Sequence, residues 1–325
     1  MNEALINTLN SLVSNATPLV IAAIGETITE RAGVINLSLN GSILLAAMVG
    51  FAAALATDTL LLGLGAAVIV GAVIATIIAF STIQLRRDQV AVGFVLTLLA
   101  AKLADFLGQP LNSASGPSFS KQPIPLLADI PILGHIFFEH NILVYFSFVL
   151  VIGCWFWLFR TRPGLAHRAI GERPEAAYAR GTSVNRMRYV YTAVGGGLVG
   201  LAGASYSLSI KIGWPSIISY NGDGWIALAI VIFAGWHPFR VLLGAYMLSA
   251  LRAAASDIQK SSLNIPAELL NTGLPWILLI VTLILVNTGQ IDRLLIALPE
   301  RMRGRFQALL KSDAPAALGE RFEAS

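Results

Sequence analysis

Long apolar runs constrain this chain more than any other feature. Nine stretches are nearly free of charge: 4–25, 32–57, 59–85, 89–107, 141–159, 189–210, 225–236, 241–251 and 272–290. About 20 helical residues cross a hydrocarbon core of roughly 30 Å. Charged residues make up 12% of the chain, against about 25% in soluble domains. The sequence therefore excludes a soluble globular protein and predicts an all-α membrane bundle of about 8–10 spans, some of them broken or half-length.

Basic residues set the orientation of this bundle. If the loop carrying Arg86 and Arg87 lies inside and the runs alternate, 17 lysines and arginines fall inside and four outside. Short cytoplasmic loops carry the excess of basic residues, so the N-terminus is expected outside and the C-terminus inside. The same rule accounts for the net charge of +4, and no nucleic-acid partner is expected.

Catalytic and metal-binding patterns are absent from the sequence. There is no G-x-x-x-x-G-K-[ST] phosphate loop, and the four histidines lie in predicted loops and form no metal-binding pattern. The single cysteine, Cys154, falls in an apolar run and is interpreted as a packing residue. We expect no catalytic residue, no metal site and no cofactor on this chain.

Two polar segments are unusual for helices that face lipid. The first, GVINLSLNG at 33–41, contains Asn36, Ser38, Asn40 and Gly41. Polar groups at this depth line an aqueous pathway or a broken helix, or they join packed helices by hydrogen bonds. Both interpretations remain open for this segment. The second, SYNGDG at 219–224, is either an outer turn or a second polar part of a pathway.

The basic segment 160–188 contains seven arginines and is predicted to be a cytoplasmic loop. Within it, PEAAYAR at 174–180 favours a short helix, since proline is tolerated in the first helical turn. Glu26, Glu30 and Arg31 cluster at the inner end of the first run, and we interpret them as structural.

Three segments together, 26–41, 169–204 and 221–251, resemble the membrane permease subunits of bacterial ABC importers. The resemblance is to the ribose/branched-chain amino acid type, and within it to the nucleoside and simple-sugar permeases. It implies a permease domain in 1–300, with a cytoplasmic coupling loop at 160–188, and a cytoplasmic tail in 301–325. It also implies a multi-pass protein of the bacterial plasma (inner) membrane.

The resemblance assigns roles to individual residues. Those expected along the solute pathway are Asn36, Ser38, Asn40, Gly41, Asn221 and Asp223. Those expected to couple the permease to an ATPase are Gly171, Glu172, Pro174, Glu175, Ala176, Ala177 and Gly181. For the coupling loop, the alternative is a solvated basic loop. One departure stands out: the chain reads NLSLNG where related nucleoside permeases tend to read N-L-G-x-E-G.

The resemblance also implies partners and a mechanism. The expected partners are an ABC ATPase subunit that carries ATP and Mg²⁺, a second permease subunit (a copy or a paralogue), an extracytoplasmic solute-binding protein and membrane lipid. The expected function is the translocation pathway of an ATP-driven importer for a nucleoside, a nucleobase-like solute or a simple sugar. The alternatives are a secondary transporter driven by an ion gradient and a branched-chain amino acid permease.

Overall fold

The computed structural model describes residues 3–112, 114–214, 222–260 and 314–323. Within these ranges every regular element is helical. The α-helices are α1 Glu3–Arg31, α2 Leu39–Thr57, α3 Leu60–Ala79, α4 Gln89–Gly108, α5 Leu133–Phe137, α6 Ile142–Arg160, α7 Arg162–Glu172, α8 Pro174–Ala179, α9 Val184–Ser205, α10 Asp223–Phe233 and α11 Pro238–Lys260. One π-helical turn, Phe80–Gln84, extends α3, and another, Tyr206–Ile210, extends α9.

Six helical segments of the described part are long and apolar enough to cross a membrane, and they confirm the all-α membrane bundle. They are Leu5–Arg31, Leu39–Thr57, Leu60–Gln84, Gln89–Leu111, Ile142–Arg160 and Val184–Ile210. The apolar run at 272–290 lies outside the described residues. The predicted total of about 8–10 spans therefore remains a prediction.

The first span forms the centre of the bundle. Of the 18 consecutive residues that are most apolar in this span, 83% are buried inside the protein. Residues 19–24 of the span belong to the main hydrophobic core. Small residues bring α9, which packs on this span, close to α3: a Cβ added at Gly200 would lie 2.1 Å from the carbonyl oxygen of Ala67. Such close backbone approach favours helix association in lipid.

The helices α3, α4 and α6 form the outer surface. Each turns large apolar side chains outward, for example Leu61, Phe106 and Val149. In water such a surface would be an aggregation hazard, whereas in a bilayer it is the face that lipid solvates. These faces indicate where the bundle meets the membrane.

The two short apolar runs behave differently from each other. The run at 225–236 becomes α10, which has 11 residues and a length of about 16 Å, half a membrane thickness. The run at 241–251 becomes the 23-residue helix α11, because polar residues on both sides extend it. The first run therefore forms the expected half-length helix, whereas the second is extended by its flanking residues, the other outcome expected for so short a run. A tight turn at 234–237 joins them, with Trp236 at a φ of 54°.

Candidate functional site

The first polar cluster begins in the turn between α1 and α2. The side chain of Gln89, at the start of α4, accepts a hydrogen bond from the backbone N–H of Ile35 at 2.7 Å. The carboxylate of Glu26 accepts one from the backbone N–H of Asn36 at 3.2 Å. The turn is thereby fixed to the start of α4 and to α1, and α2 leads away from it.

Asn36, Ser38 and Gly41 lie inside this cluster. The Asn36 Oδ1 atom accepts hydrogen bonds from the Ser38 hydroxyl at 2.6 Å and from its backbone N–H at 3.1 Å. The Ser38 and Ser42 hydroxyls are 3.0 Å apart. The backbone N–H of Gly41 donates to Thr97 Oγ1 at 2.8 Å, and a Cβ at Gly41 would clash with the Thr97 backbone. All these groups are buried and bonded to the protein.

Asn40 connects this cluster to the half-length helix α10. Its Oδ1 atom accepts a hydrogen bond from the backbone N–H of Gly222 at 2.7 Å, and Gly222 has a φ of 110°. A Cβ at Gly224 would lie 2.2 Å from the Asn40 nitrogen. The start of α10 is therefore packed directly against the start of α2.

The second cluster is centred on Asp223, the first residue of α10. The phenol of Tyr206, in the π-helical end of α9, donates to Asp223 Oδ2 at 2.5 Å. Arg252 of α11 forms a bidentate ion pair with the same carboxylate, in which each of two guanidinium nitrogens contacts one carboxylate oxygen. The Asp223 side chain is 3% exposed and that of Arg252 is 27% exposed.

The depth of Asp223 follows from the length of α10. From Asp223 the helix runs about 16 Å to the turn at Trp236, which contacts the cytoplasmic end of α1. Asp223 is thus separated from that turn by about half a membrane thickness. An ionised side chain at that depth requires a partner of opposite charge, and Arg252 supplies it. The sequence alone indicates for Arg252 no more than an outer basic residue.

The predicted pathway residues therefore occupy two linked, buried clusters rather than an open channel. Asn36, Ser38 and Gly41 form the first, Asp223 forms the second, and Asn40 joins them. Asn221 lies outside the described residues. Their role in solute passage remains a prediction.

The charged residues at the inner end of α1 have specific partners. The Glu30 carboxylate accepts a hydrogen bond from the indole N–H of Trp236 at 2.5 Å. The Arg31 guanidinium donates to the carbonyl oxygen of Trp236 at 2.8 Å and lies over the ring of Phe159. These bonds hold the α10–α11 turn against α1.

Segment 160–188, the predicted coupling loop, forms two short helices, α7 and α8, where the sequence predicted one. The predicted helix at 174–180 is confirmed by α8. Thr161 caps the start of α7: its hydroxyl accepts a hydrogen bond from the backbone N–H of Gly164 at 3.1 Å. In α7 the ring of His167 is fully buried, and its Nε2 is 2.9 Å from the carbonyl oxygen of Ile28. Burial lowers the pKa of His167 from 6.5 to about 4.

The residues of the predicted coupling segment divide into a buried and an exposed set. Gly171, Pro174 and Ala177 are buried. Ala177 packs in a small apolar cluster with Ala32, Ile170 and Val184. The exposed set consists of Glu172, Glu175, Ala176 and Gly181. A Cβ at Gly171 would lie 2.1 Å from the carbonyl oxygen of Arg31, so this segment lies directly on the end of α1.

Residues 314–323 of the tail lie across the same face. The backbone N–H of Ala317 donates to the carbonyl oxygen of Gly171 at 2.8 Å, and that of Gly319 donates to Gly33 at 3.1 Å. The ring of Phe322 packs on Tyr178 of α8. This part of the tail bridges the coupling segment and the α1–α2 turn.

Comparison with known proteins identifies the family. Within the described ranges no three His, Cys, Asp or Glu side chains group as a metal site. Residues 8–287 match the family model described as "Branched-chain amino acid transport system / permease component". No solved structure gives a significant match.

Three curated proteins are similar over most of their length. A putative glucose ABC transporter permease of Haloferax volcanii is 38% identical, with 78% of each chain covered. A guanosine ABC transporter permease of Bacillus subtilis is 35% identical over 70% of this chain and 75% of its own. A nucleoside ABC transporter permease of Lactococcus lactis is 32% identical over 77% of this chain and 83% of its own. The chain therefore belongs to the branched-chain amino acid transport permease family, as a multi-pass inner-membrane subunit of an ABC transporter whose ATPase is a separate subunit.

Proposed function

We propose that this chain forms, with a second permease subunit, the solute pathway of an importer for a nucleoside or a simple sugar. A binding protein delivers the solute at the outer face, and an ATPase subunit docks on the exposed side of α8. The solute class is supported by the relatives named for glucose, guanosine and nucleoside transport. Their similarity favours these solutes over a branched-chain amino acid, and family membership argues against transport driven by an ion gradient.

The observation that carries the coupling part is the division of α8 into two faces. Its exposed face, which includes Glu175 and Ala176, offers a surface to a cytoplasmic partner. Its buried face, through Ala177, is fixed to Ala32 at the end of α1. A partner that moves α8 therefore acts on the central helix. A solvated loop would lack this connection to the core.

The test is the substitution Ala176→Trp, with Ala176→Ser as the matched control. Tryptophan adds bulk only to the exposed face, so the permease should fold while ATPase docking is obstructed. We expect solute-stimulated ATP hydrolysis by the reconstituted importer to fall by about tenfold or more, equal to roughly 1.4 kcal/mol of lost interaction. Ala177→Trp is a poorer probe because it would disrupt the apolar cluster itself.

Wild-type coupling in Ala176→Trp would contradict the docking role of α8. The solute is tested separately, by uptake of labelled guanosine, glucose and leucine into proteoliposomes that hold the complete importer. ATP-dependent uptake of leucine alone would identify an amino acid permease and overturn the proposed solute class.

A further inference from the structure

A cavity of about 560 Å³ lies in the outer half of the bundle, next to the second polar cluster, with which it shares Arg252. Its walls come from α1, from the end of α9 and from α11. The volume is within the usual range for sites that enclose a small organic molecule, about 300–1,000 Å³.

The α1 wall is a stripe of polar side chains at intervals of four residues: Asn7, Ser11 and Asn15. All three are exposed. The span begins at Leu5, so Asn15 lies about 15 Å along the helix and within the hydrocarbon depth. An amide in contact with lipid there would leave its hydrogen-bonding groups without partners. This stripe is therefore suited to water or a polar solute, unlike the apolar exposed face of α3.

The opposite wall belongs to α11 and is also polar. Ser249 and Ser256 line it, and the Ser249 hydroxyl donates to the carbonyl oxygen of Leu12 at 2.9 Å, which fastens α11 to α1. Arg252 lies between them, and its ion pair with Asp223 offsets its charge. The described lining thus combines amides and hydroxyls, groups that both donate and accept hydrogen bonds, with the charged side chains of Lys211 and Arg252 and with aliphatic side chains such as Leu12.

We propose that this cavity binds the hydroxyl-bearing sugar ring of the transported solute, whether that ring belongs to a nucleoside or to a free sugar. The hydroxyls of a sugar ring also donate and accept hydrogen bonds, so they match the amides and hydroxyls of this lining. Among the lining side chains that the structure describes there is no aromatic ring to stack on a base. The cavity should therefore recognise the sugar and tolerate different bases. This inference rests on the proposed function and adds to it a site and a mode of recognition.

The first test is aqueous access from outside in the reconstituted importer, with Cys154→Ala as the background. A membrane-impermeant methanethiosulfonate should label Ser11→Cys and Asn15→Cys as readily as Thr57→Cys, at the exposed outer end of α2. Ile69→Cys is the matched lipid-facing control, since Ile69 is 63% exposed on α3. A thiol in hydrocarbon forms no thiolate and should remain unlabelled. If neither α1 variant is labelled faster than Ile69→Cys, the cavity is not open to water and the proposal is overturned.

The second test is protection of Asn15→Cys by solute. At ten times its Kd a solute leaves about one site in eleven free, so labelling should slow roughly tenfold. Guanosine and uridine should protect alike if the solute is a nucleoside, and glucose or ribose should protect if it is a free sugar. Protection by guanine alone or by leucine, or by none of these solutes, would overturn the assignment. Solute-stimulated ATP hydrolysis in the same preparation shows separately whether the proposed function stands.

Discussion

The ion pair between Asp223 and Arg252 permits a quantitative prediction. The substitution Asp223→Asn removes the negative charge and keeps the shape of the side chain. The Tyr206 phenol can still donate to the amide oxygen, as it donates to the carboxylate. The guanidinium of Arg252, which lies at the edge of the outer cavity, then loses its ion pair with Asp223.

The expected cost follows from burial. Removing one member of a buried ion pair costs about 3–5 kcal/mol. Arg252 is 27% exposed and lines the outer cavity, so water offsets part of this loss. We therefore expect Asp223→Asn to lower the free energy of unfolding by about 2–3 kcal/mol, just below the range for a fully enclosed pair. Arg252→Met should cost a similar amount, because it leaves the carboxylate buried without its cation.

The assay is a double-mutant cycle on the purified permease in mixed micelles, with tryptophan fluorescence followed during denaturation by dodecyl sulfate. The double variant should be more stable than the sum of the single losses predicts, by about 1–3 kcal/mol, as for directly interacting residues. Tyr206→Phe is the local control, since it removes a hydrogen bond and leaves the ion pair. Additive losses, or single losses below about 0.5 kcal/mol, the usual size for surface substitutions, would refute the reasoning.

Two further predictions concern the cytoplasmic face. Burial lowers the pKa of His167 from its ordinary 6.5 to about 4 in the folded protein. Between pH 6.5 and 4 the His167 imidazole therefore gains a proton mainly in the unfolded state. Stability should therefore fall by about 3 kcal/mol from pH 6.5 to 4, and equal pH dependence of unfolding in His167→Gln would contradict this. Phe322→Ala should weaken tail docking by about 1 kcal/mol and accelerate exchange of the Gly319 amide about fivefold; unchanged exchange would show that the ring does not hold the tail.

Much of the fold is predictable because the bilayer imposes simple rules. Uncharged stretches of about 20 residues predict the long spans. A proline followed by strong helix formers predicts α8. The sequence did not predict α7, whose residues include glycine, arginine and histidine. That helix depends on the Thr161 cap and on the contact of His167 with Ile28, 139 positions away. No local pattern contains such a contact.

The candidate site shows the same limit. Polar residues at 36–41 and at 223 were conspicuous in the sequence because lipid rarely tolerates them. Their partners, Tyr206 and Arg252, do not stand out in the sequence, because a tyrosine or an arginine is common near the outer end of a span. One available signal was that an acid in a half-length helix needs a cation at the same depth. Applied to Asp223, it directs the search to Arg252, since the other basic residues of the next helix, Arg240 and Lys260, lie near its two ends.

The half-length helix α10 connects the outer cavity with the inner end of α1. Its outer end carries Asp223, which holds Arg252 beside the outer cavity. Its inner end leads into the turn where Trp236 is bonded to Glu30 at the end of α1. The coupling segment lies on that same end, with Gly171 in close contact with the backbone of Arg31. Because packed helices shift as rigid units between discrete arrangements, a displacement of α7 and α8 bears on the turn that holds α10. A full-length helix in place of α10 would reach the membrane surface with its outer end, whereas α10 begins at Asp223 and its outer end is held by the ion pair with Arg252.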